Sequence, residues 1–269
     1  MLFKRLFLRK PKQIKLGLAL GSGGAKGFAE IGALVAFKEN NVEFDVVAGS
    51  SIGSIIGAFY ANGYSALDML QLLKSIDMSN IVSLFMIKMD TSGLFSEIEK
   101  ALGNLNIEQL KKPFRAIATN LDTGEEYVFD KGSVALATAA SSSYQPYFKP
   151  VIVNGERYID GAYSNSVPSD VVKKLGADYI VGIDLSNHNA KPTVLQQFFP
   201  TFKRKTQTPW EKGYEFANVM LHPNLDEFSP MSFASASKMY DIGYQCAMEN
   251  MPQILKDISL LKAGKKLRK

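Results

Sequence analysis

Short apolar runs alternate with segments of helical spacing through the first 63 residues. Residues 14–20 are apolar and end in glycines, which predicts a buried strand. Residues 26–41 place apolar side chains at helical intervals, a second apolar run covers 44–51, and small and branched residues continue to 63. The order strand, helix, strand, helix predicts a parallel sheet with helices on both faces.

The rest of the chain continues this pattern without an internal repeat. Residues 186–215 are the least regular part, and they suit a lid, a contact region or a surface connection. We therefore expect an α/β fold with three layers, α/β/α, around a mostly parallel sheet. The further predicted elements are helices at 65–76 and 95–104, two strands at 114–129, a helix at 133–143, a hairpin at 150–165, a helix at 167–177, a strand at 178–186 and a helix at 233–251.

Composition predicts one globular domain. The chain has 269 residues, 46% of them hydrophobic, which suffices for one large core. The single cysteine, Cys246, excludes a disulfide within the chain and indicates a reducing compartment. Since CxxC and His/Cys pairs are missing, the sequence predicts neither a structural metal nor a cofactor.

The positive charge is concentrated at the two ends. Residues 1–15 carry six positive side chains, residues 256–269 carry six positive and one negative, and the overall net charge of +5 leaves the middle acidic. This distribution favours contact with an anionic membrane over nucleic-acid binding, although two solvated tails explain it equally well. We expect a catalytic domain at 16–255 between two basic tails. Because the sequence shows neither a signal peptide nor a membrane span, a cytoplasmic protein that can touch a membrane is expected.

A serine follows the second apolar run in the sequence GSSIG. This stretch matches GxSxG, with Ser51 between Gly49 and Gly53. The pattern is typical of a sharp strand-to-helix turn that exposes the serine oxygen while the glycines let strand and helix approach. An ordinary turn with a capping serine is the alternative.

A glycine-rich loop, Gly21 to Gly27, follows the first predicted strand. It lacks the Gly-Lys-Ser/Thr ending of a phosphate-binding Walker loop, and its glycines do not fit the GxGxxG spacing of a dinucleotide site. With both nucleotide-binding motifs excluded, the loop still predicts exposed backbone amides at the start of a helix. This is the arrangement of an oxyanion hole. A tight packing turn is the alternative.

The chain offers three proton acceptors for a catalytic serine. His188 and His222 both follow Asp160, so an order of Ser, Asp, His is possible, but an α/β-hydrolase usually has several strands before its serine and this chain has one. Asp160 ends a predicted strand and precedes Gly161. A lone Asp-Gly pair is usually a turn, so residue chemistry alone leaves the base open.

Together these motifs resemble the patatin-like phospholipase family. Members of this family have three motifs in the same order along the chain: a glycine-rich loop, a GxSxG turn and an Asp-Gly-Gly/Ala motif. The corresponding segments here are SGGAKG, GSSIG and DGA. The segment NSVPSD at 165–170 resembles the family's Asn-x-Val-Pro segment. MLHPNL and YDIGYQ resemble the closing strand and helix of bacterial members, which would give His222 a structural role.

The resemblance implies a Ser-Asp dyad in a lipid acyl hydrolase of phospholipase A or lysophospholipase type that needs no metal. Ser51 would be the nucleophile, Asp160 the proton acceptor, and Gly161 and Ala162 the rest of the DGA motif. Ser22 departs from the family's usual glycine, Lys26 stands where arginine is common, and ASSSYQPYFKP departs from the usual run before the hairpin. The implied oxyanion loop is Ser22, Gly23, Gly24, Ala25, Lys26 and Gly27, and the candidate acyl-pocket residues are Tyr144, Tyr147 and Phe148.

Two other functions fit the same sequence. An acyltransferase of this fold also has a serine in such a turn, but it needs a histidine partner and a carboxylate-binding arginine, for which no suitable pair is evident. A catalytically silent peripheral membrane protein would act through its basic tails. Acyl transfer to an alcohol or thiol distinguishes the first from a hydrolase, and liposome binding with an inert Ser51 identifies the second.

Overall fold

Eight strands form one sheet in the part of the chain that the computed structural model describes, residues 13–75, 92–188 and 209–267. The strand order is β5-β6-β3-β2-β1-β7-β8, and β4 pairs with β3 as well. The strands are β1 (Leu16–Leu20), β2 (Val46–Ser50), β3 (Phe114–Asn120), β4 (Glu126–Phe129), β5 (Val151–Val153), β6 (Glu156–Asp160), β7 (Tyr179–Ile183) and β8 (Val219–Leu221).

The centre of the sheet is parallel, as the alternation of strands and helices predicts. Strands β3, β2, β1, β7 and β8 run in the same direction, whereas β4 and β6 are antiparallel to β3. The carboxyl ends of β1, β2 and β7 therefore lie at one edge of the sheet, where ligand sites of open α/β sheets usually form.

Helices cover both faces, which confirms the three-layer α/β/α prediction. Alternate side chains separate the two cores: Leu18 and Leu20 of β1 pack into the larger one, and Ala19 packs into the smaller one with Val171 and Val172. The helices are α1 (Gly27–Glu39), α2 (Ile52–Ala61), α3 (Ala66–Ser75), α4 (Ser92–Leu102), α5 (Val134–Ser141), α6 (Ser169–Lys174), α7 (Glu211–Phe216) and α8 (Ala236–Lys262).

The last helix is longer than the sequence pattern predicts. Helix α8 continues through Lys262, past the expected end of the catalytic domain at residue 255. Ile258 and Asp257 are buried, and Asp257 accepts a hydrogen bond from the hydroxyl of Tyr179 on β7. These contacts hold the first residues of the predicted basic tail against the domain.

Some predictions concern residues outside the described part of the chain. They are most of the basic N-terminal tail, at 1–12, the end of the C-terminal tail, and residues 189–208 of the irregular region. None of the helices in the described ranges is both long and apolar enough to span a membrane.

Candidate active site

Strands β2 and β6 meet end to end along one edge of β3. Ala118 of β3 pairs with Tyr127 of β4 on one side and Asp160 of β6 on the other, whereas Ile117 pairs with Ser50 at the end of β2. Since β4 occupies the far edge of β3, β2 and β6 share the near edge. The register of β3 thus places the residue after β2, Ser51, beside the last residue of β6.

Ser51 lies in a strained turn between β2 and α2. Its φ of 55° falls in the left-handed region, which a serine rarely adopts and which is common at functional sites. A side chain at Gly49 would collide with the backbone of Gly53, and one at Gly53 would collide with the carbonyl oxygens of Leu20 and Gly21. The two glycines therefore permit the tight strand-to-helix turn expected of GxSxG.

The hydroxyl of Ser51 donates a hydrogen bond to Asp160, with 2.6 Å between Oγ and Oδ2. The second carboxyl oxygen, Oδ1, accepts from the amide of Ala162 at 2.8 Å. The backbone amide of Asp160 donates to Ser143, and the hydroxyl of Thr119 donates to the carbonyl of Asp160. Side chain and backbone of Asp160 are thus both fixed, with the carboxylate aimed at the serine.

Burial controls the charge of Asp160. The side chain is fully buried, and this desolvation raises its pKa to about 7, against the smaller, opposite effects of the Ser51 and Ala162 hydrogen bonds. In the described residues, no lysine, arginine or histidine forms an ion pair with it. A carboxyl with a pKa near neutrality is suited to accept a proton in one step and return it in the next.

A serine of α5 supports the turn, and the sequence patterns gave no sign of its role. Ser141 accepts a hydrogen bond from the amide of Ser51 at 2.9 Å and donates its own proton to the carbonyl of Ile117 on β3. The Ser51 amide is therefore occupied. Ser141 belongs to ASSSYQPYFKP, the segment that departs from the family pattern.

The glycine-rich loop lies beside the turn, and most of its amides already have partners. The amides of Ser22 and Ala25 donate to the carbonyls of Ser166 and Pro230. Those of Lys26 and Gly27 donate within the loop. Among the described contacts of this loop, the amides of Gly23 and Gly24 are the two without a hydrogen-bond acceptor. This pair is available to a ligand.

Ser22, which replaces the usual first glycine, is fixed by a second serine. Its Oγ lies 2.6 Å from Oγ of Ser166, so both side chain and backbone of Ser22 are bound to the segment after Asp160. The substitution adds a hydrogen bond to the loop. Lys26 is buried, and its Nζ lies 3.5 Å from the carbonyl oxygen of Leu185. Burial lowers the pKa of this amine, opposed by the charges of Asp226 and Asp184.

Glu30 of α1 holds the start of the same loop. Its Oε1 accepts from the Gly21 amide at 2.7 Å, while its Oε2 is buried without a hydrogen-bond partner among the described residues. Full burial raises the pKa of this carboxyl well above its usual range, more than the Gly21 hydrogen bond lowers it. Burial thus favours the protonated form of this carboxyl, and the position of Glu30 within an apolar helical pattern gave no indication of its contact with Gly21.

The two histidines lie away from Ser51, at the ends of β7 and β8. His188 forms a hydrogen bond with Asp184, and Nε2 of His222 lies 3.0 Å from the carbonyl oxygen of Ser186. Strand β1 and its glycine loop separate β7 from β2 in the sheet. The hydroxyl of Ser51 has a carboxylate partner, whereas the histidines are grouped with each other.

Of the aromatic residues named as pocket candidates, Tyr144 interacts with Asp160. Tyr144 stacks on Tyr163 with ring centroids 5.3 Å apart and on Tyr147 at 6.2 Å. Burial raises the pKa of Tyr144, and the negative charge of Asp160 raises it further. The carbonyl of Phe148 accepts a hydrogen bond from the side chain of Gln145. Tyr144 is thus the candidate that interacts electrostatically with the buried carboxylate.

The chain matches the family model described as patatin-like phospholipase over residues 18–173. This range includes the glycine loop, the GxSxG turn and the DGA motif. Patatin-like phospholipase domain-containing protein 6 of Mus musculus is 28% identical over 276 residues, which cover 86% of this chain and 20% of the relative. Lysophospholipase NTE1 of Phaeosphaeria nodorum is 27% identical over 285 residues, covering 90% of this chain and 19% of the relative.

A solved structure, VipD from Legionella pneumophila, has a similar fold. The TM-score is 0.53 at 13% sequence identity, and the match covers 90% of this chain and 67% of that one. The chain spans about a fifth of the length of the two relatives above. Similarity to them therefore concerns one part of each.

Proposed function

The chain belongs to the patatin-like phospholipase family, and we propose that it is a serine hydrolase that cleaves carboxylic esters of lipids with the dyad Ser51 and Asp160. The observation that carries the proposal is the 2.6 Å hydrogen bond from Ser51 Oγ to a buried carboxylate whose pKa is about 7. A serine in a strained turn, facing a base of matched pKa, is the arrangement of an activated nucleophile.

In the first half of the reaction, Ser51 Oγ attacks the ester carbonyl and its proton passes to Asp160 Oδ2. The tetrahedral intermediate then collapses, the ester C–O bond breaks, and Asp160 returns the proton to the departing alcohol. In the second half, water attacks the acyl-enzyme, gives a proton to Asp160, and releases the carboxylic acid as Ser51 regains its proton. Atoms and protons balance at each step with Asp160 as the single carrier.

We infer that the amides of Gly23 and Gly24 stabilise the negative oxygen of the tetrahedral intermediate. The sequence implied a set of six loop residues, and hydrogen bonds within the protein occupy four of those amides. Helix α2 begins directly after Ser51, so its positive end adds to the same field. Loss of one such donor typically lowers kcat about 10²–10³-fold.

The substrate class rests on the family and on the names of relatives. The family model is named for phospholipase activity, and one relative is named a lysophospholipase. We propose lysophospholipids and phospholipids as substrates, with the acyl ester as the bond that is cleaved.

Replacement of the nucleophile tests the proposal, and the chain contains a matched control. Ser51→Ala is expected to abolish both release of fatty acid from a lysophospholipid and labelling by a fluorophosphonate. Ser50→Ala removes the neighbouring hydroxyl, which is buried without a hydrogen-bond partner among the described residues, and it should retain labelling and hydrolysis. Labelling of Ser51→Ala at the wild-type rate would disprove Ser51 as the nucleophile.

The acceptor of the acyl group is measured in the same assay. Wild-type protein is incubated with lysophospholipid in the presence of a primary alcohol, and free fatty acid and new ester are quantified together. A hydrolase yields mainly fatty acid. If the new ester is the main product and Ser51→Ala does not form it, the dyad is supported but the activity is acyl transfer instead of hydrolysis.

A further inference from the structure

Both histidines of the chain converge on one buried carboxylate. Asp184 follows β7, His222 follows β8, and His188 lies four residues after Asp184. Strands β7 and β8 are parallel neighbours, and Ile183 pairs with Leu221, so the residues that follow them lie side by side. The fold therefore gathers two imidazoles and a carboxylate at the same sheet edge as Ser51, beyond the glycine loop.

The three side chains are close enough to share a ligand. One potential ligand atom from each lies within 4.8 Å of the others. Nε2 of His188 lies 2.7 Å from Oδ2 of Asp184, and the rings of His188 and His222 are stacked with centroids 4.4 Å apart. Asp184 is fully buried, whereas the side chain of His188 is 26% exposed and His222 is exposed, so solvent reaches the imidazoles.

We propose that Asp184, His188 and His222 form a binding site for a divalent transition-metal ion of the zinc class. Two imidazole nitrogens and one carboxylate oxygen are a common donor set for zinc, with water in the fourth position. The chain lacks the CxxC and His/Cys pairs of a local zinc motif, whereas the proposed ligands follow two different strands, β7 and β8.

The surroundings hold the carboxylate in place for such an ion. Oδ1 of Asp184 accepts from the amide of Ser186 at 2.9 Å, and the hydroxyl of Tyr214 also hydrogen-bonds to this carboxylate. Partners of this kind orient a ligating carboxylate and strengthen metal binding. The hydrogen bond from His188 to Oδ2 is the one that an ion would replace.

Binding requires one ring to turn out of the stack. An imidazole binds a metal through a lone pair in its ring plane, and two parallel stacked rings do not direct these lone pairs at one point. His188 is held between Trp210, at a centroid distance of 3.8 Å, and His222. His222 is the exposed outer ring, so it is the one expected to rotate towards Asp184 and His188.

The proposed site is mechanically connected to the glycine loop. Leu185 follows Asp184, and a side chain added at Gly23 would contact Cβ of Leu185 at 2.8 Å. The carbonyl of Leu185 accepts from Lys26. Ser166 links residues 184–186 to the glycine loop, because its hydroxyl oxygen lies 3.4 Å from that of Ser186 and 2.6 Å from that of Ser22. An ion held by Asp184 would therefore fix the segment on which the loop rests.

Histidine NMR tests the site directly, because the protein has only two histidines. Full-length protein without a histidine tag, labelled with ¹⁵N-histidine, is titrated with Zn²⁺. The expected result is a saturable shift of the ring nitrogens of both histidines, with one-to-one stoichiometry by calorimetry and a Tm that rises with Zn²⁺. Co²⁺ should give the visible absorption of direct coordination, and Zn²⁺ should displace it.

Variants at the exposed ligands separate this site from adventitious binding. His188→Asn and His222→Asn should each abolish the one-to-one binding and the rise in Tm, and Asp184→Asn should do the same if it folds. Asp122→Asn, which removes an exposed carboxylate on the β3–β4 turn, should leave binding unchanged. The proposal is overturned if neither histidine shifts, if only one does, or if the histidine variants bind Zn²⁺ like wild type. None of these readouts depends on the proposed hydrolase activity.

Discussion

The pKa values of two buried aspartates of the same segment are shifted in opposite directions. Asp160 and Asp170 are 0% and 3% exposed. Asp160 has hydroxyl and amide partners, and burial raises its pKa to about 7. Asp170 also experiences burial, but hydrogen bonds from Lys212 and Asn165 outweigh it and hold the pKa below the usual value. The difference lies in the partners, because burial is common to both.

Their partners suit Asp160 to proton transfer and Asp170 to a structural role. Lys212 lies 2.9 Å from Asp170 and 2.8 Å from Glu126, so one ammonium ties α7 to the start of α6 and to β4. The positive charge of Lys212 thus stabilises the ionised form of Asp170. At Asp160 the serine supplies a proton instead of a fixed positive charge, so the carboxylate can take up that proton during a reaction.

The largest expected effect is on catalysis at Asp160. Asp160→Asn keeps the shape of the side chain but removes the proton acceptor, and kcat should fall about 10²–10⁴-fold. In wild type, kcat/KM should rise with pH through about 7, as Asp160 loses its proton. Steady-state hydrolysis of a short-chain aryl ester from pH 5 to 9 measures both. Activity that is unchanged in Asp160→Asn would remove the carboxylate from the mechanism.

The same substitution should stabilise the folded protein at high pH. The folded pKa of Asp160 lies above its unfolded value, so the native state holds more protons between about pH 4 and 7 and loses stability as pH rises. At pH 8, Asp160→Asn should therefore increase the free energy of unfolding by roughly 1–4 kcal/mol. Urea denaturation at pH 5 and pH 8 checks this, since the gain should shrink at the lower pH.

An intermediate effect is expected at Glu30, a second buried carboxyl, for which the described residues provide no cationic partner. Glu30→Gln preserves an acceptor oxygen for the Gly21 amide and should leave kcat nearly unchanged. Glu30→Leu removes that acceptor, and the shifted glycine loop should lower kcat about 10- to 100-fold with little change in KM. Affinity for a boronic acid, which mimics the tetrahedral intermediate, should fall in parallel. Equal loss in both variants would assign Glu30 a general role in folding.

The smallest effect on activity is expected at Asp170. Asp170→Asn leaves the amine of Lys212 with Glu126 as its remaining partner, so the free energy of unfolding should fall by about 1–3 kcal/mol while kcat stays unchanged. The folded pKa of Asp170 is lowered, so its contribution is present at neutral pH and is lost as pH falls through that pKa. A large loss of kcat at full stability would place Asp170 in the catalytic machinery and contradict the comparison.

Local patterns predicted the central elements because each pattern is carried by neighbouring residues. The apolar run before Ser51 and the glycines around it specify a strand, a turn and a helix within a short span. The antiparallel β6 beside β3 and the register that aligns Asp160 with Ala118 depend on pairing over about forty residues. The family resemblance indicated Asp160 in the sequence. The contact of Asp160 with Ser51 becomes evident only from the pairing of β6 with β3 in the sheet.

Two groups of contacts involve partners too distant in the chain to be inferred from spacing. The Ser22 and Ala25 amides are occupied by Ser166 and Pro230, which reduces the amides available for an oxyanion. His188 and His222 are 34 residues apart in the chain, and their convergence depends on the pairing of β7 with β8. Each contact depends on the packing of segments that are distant in the chain, which hydrophobic periodicity does not encode.

The meeting of β2 and β6 along β3 has a consequence for when the protein becomes active. Ser51 and its partner are 109 positions apart, and a slip of β6 by one residue would move the carboxylate about 3.3 Å and turn it to the opposite face. A chain still leaving the ribosome carries the nucleophile long before the base. Under the proposed mechanism, lipid cleavage therefore begins only when β6 has paired with β3 and brought Asp160 to Ser51.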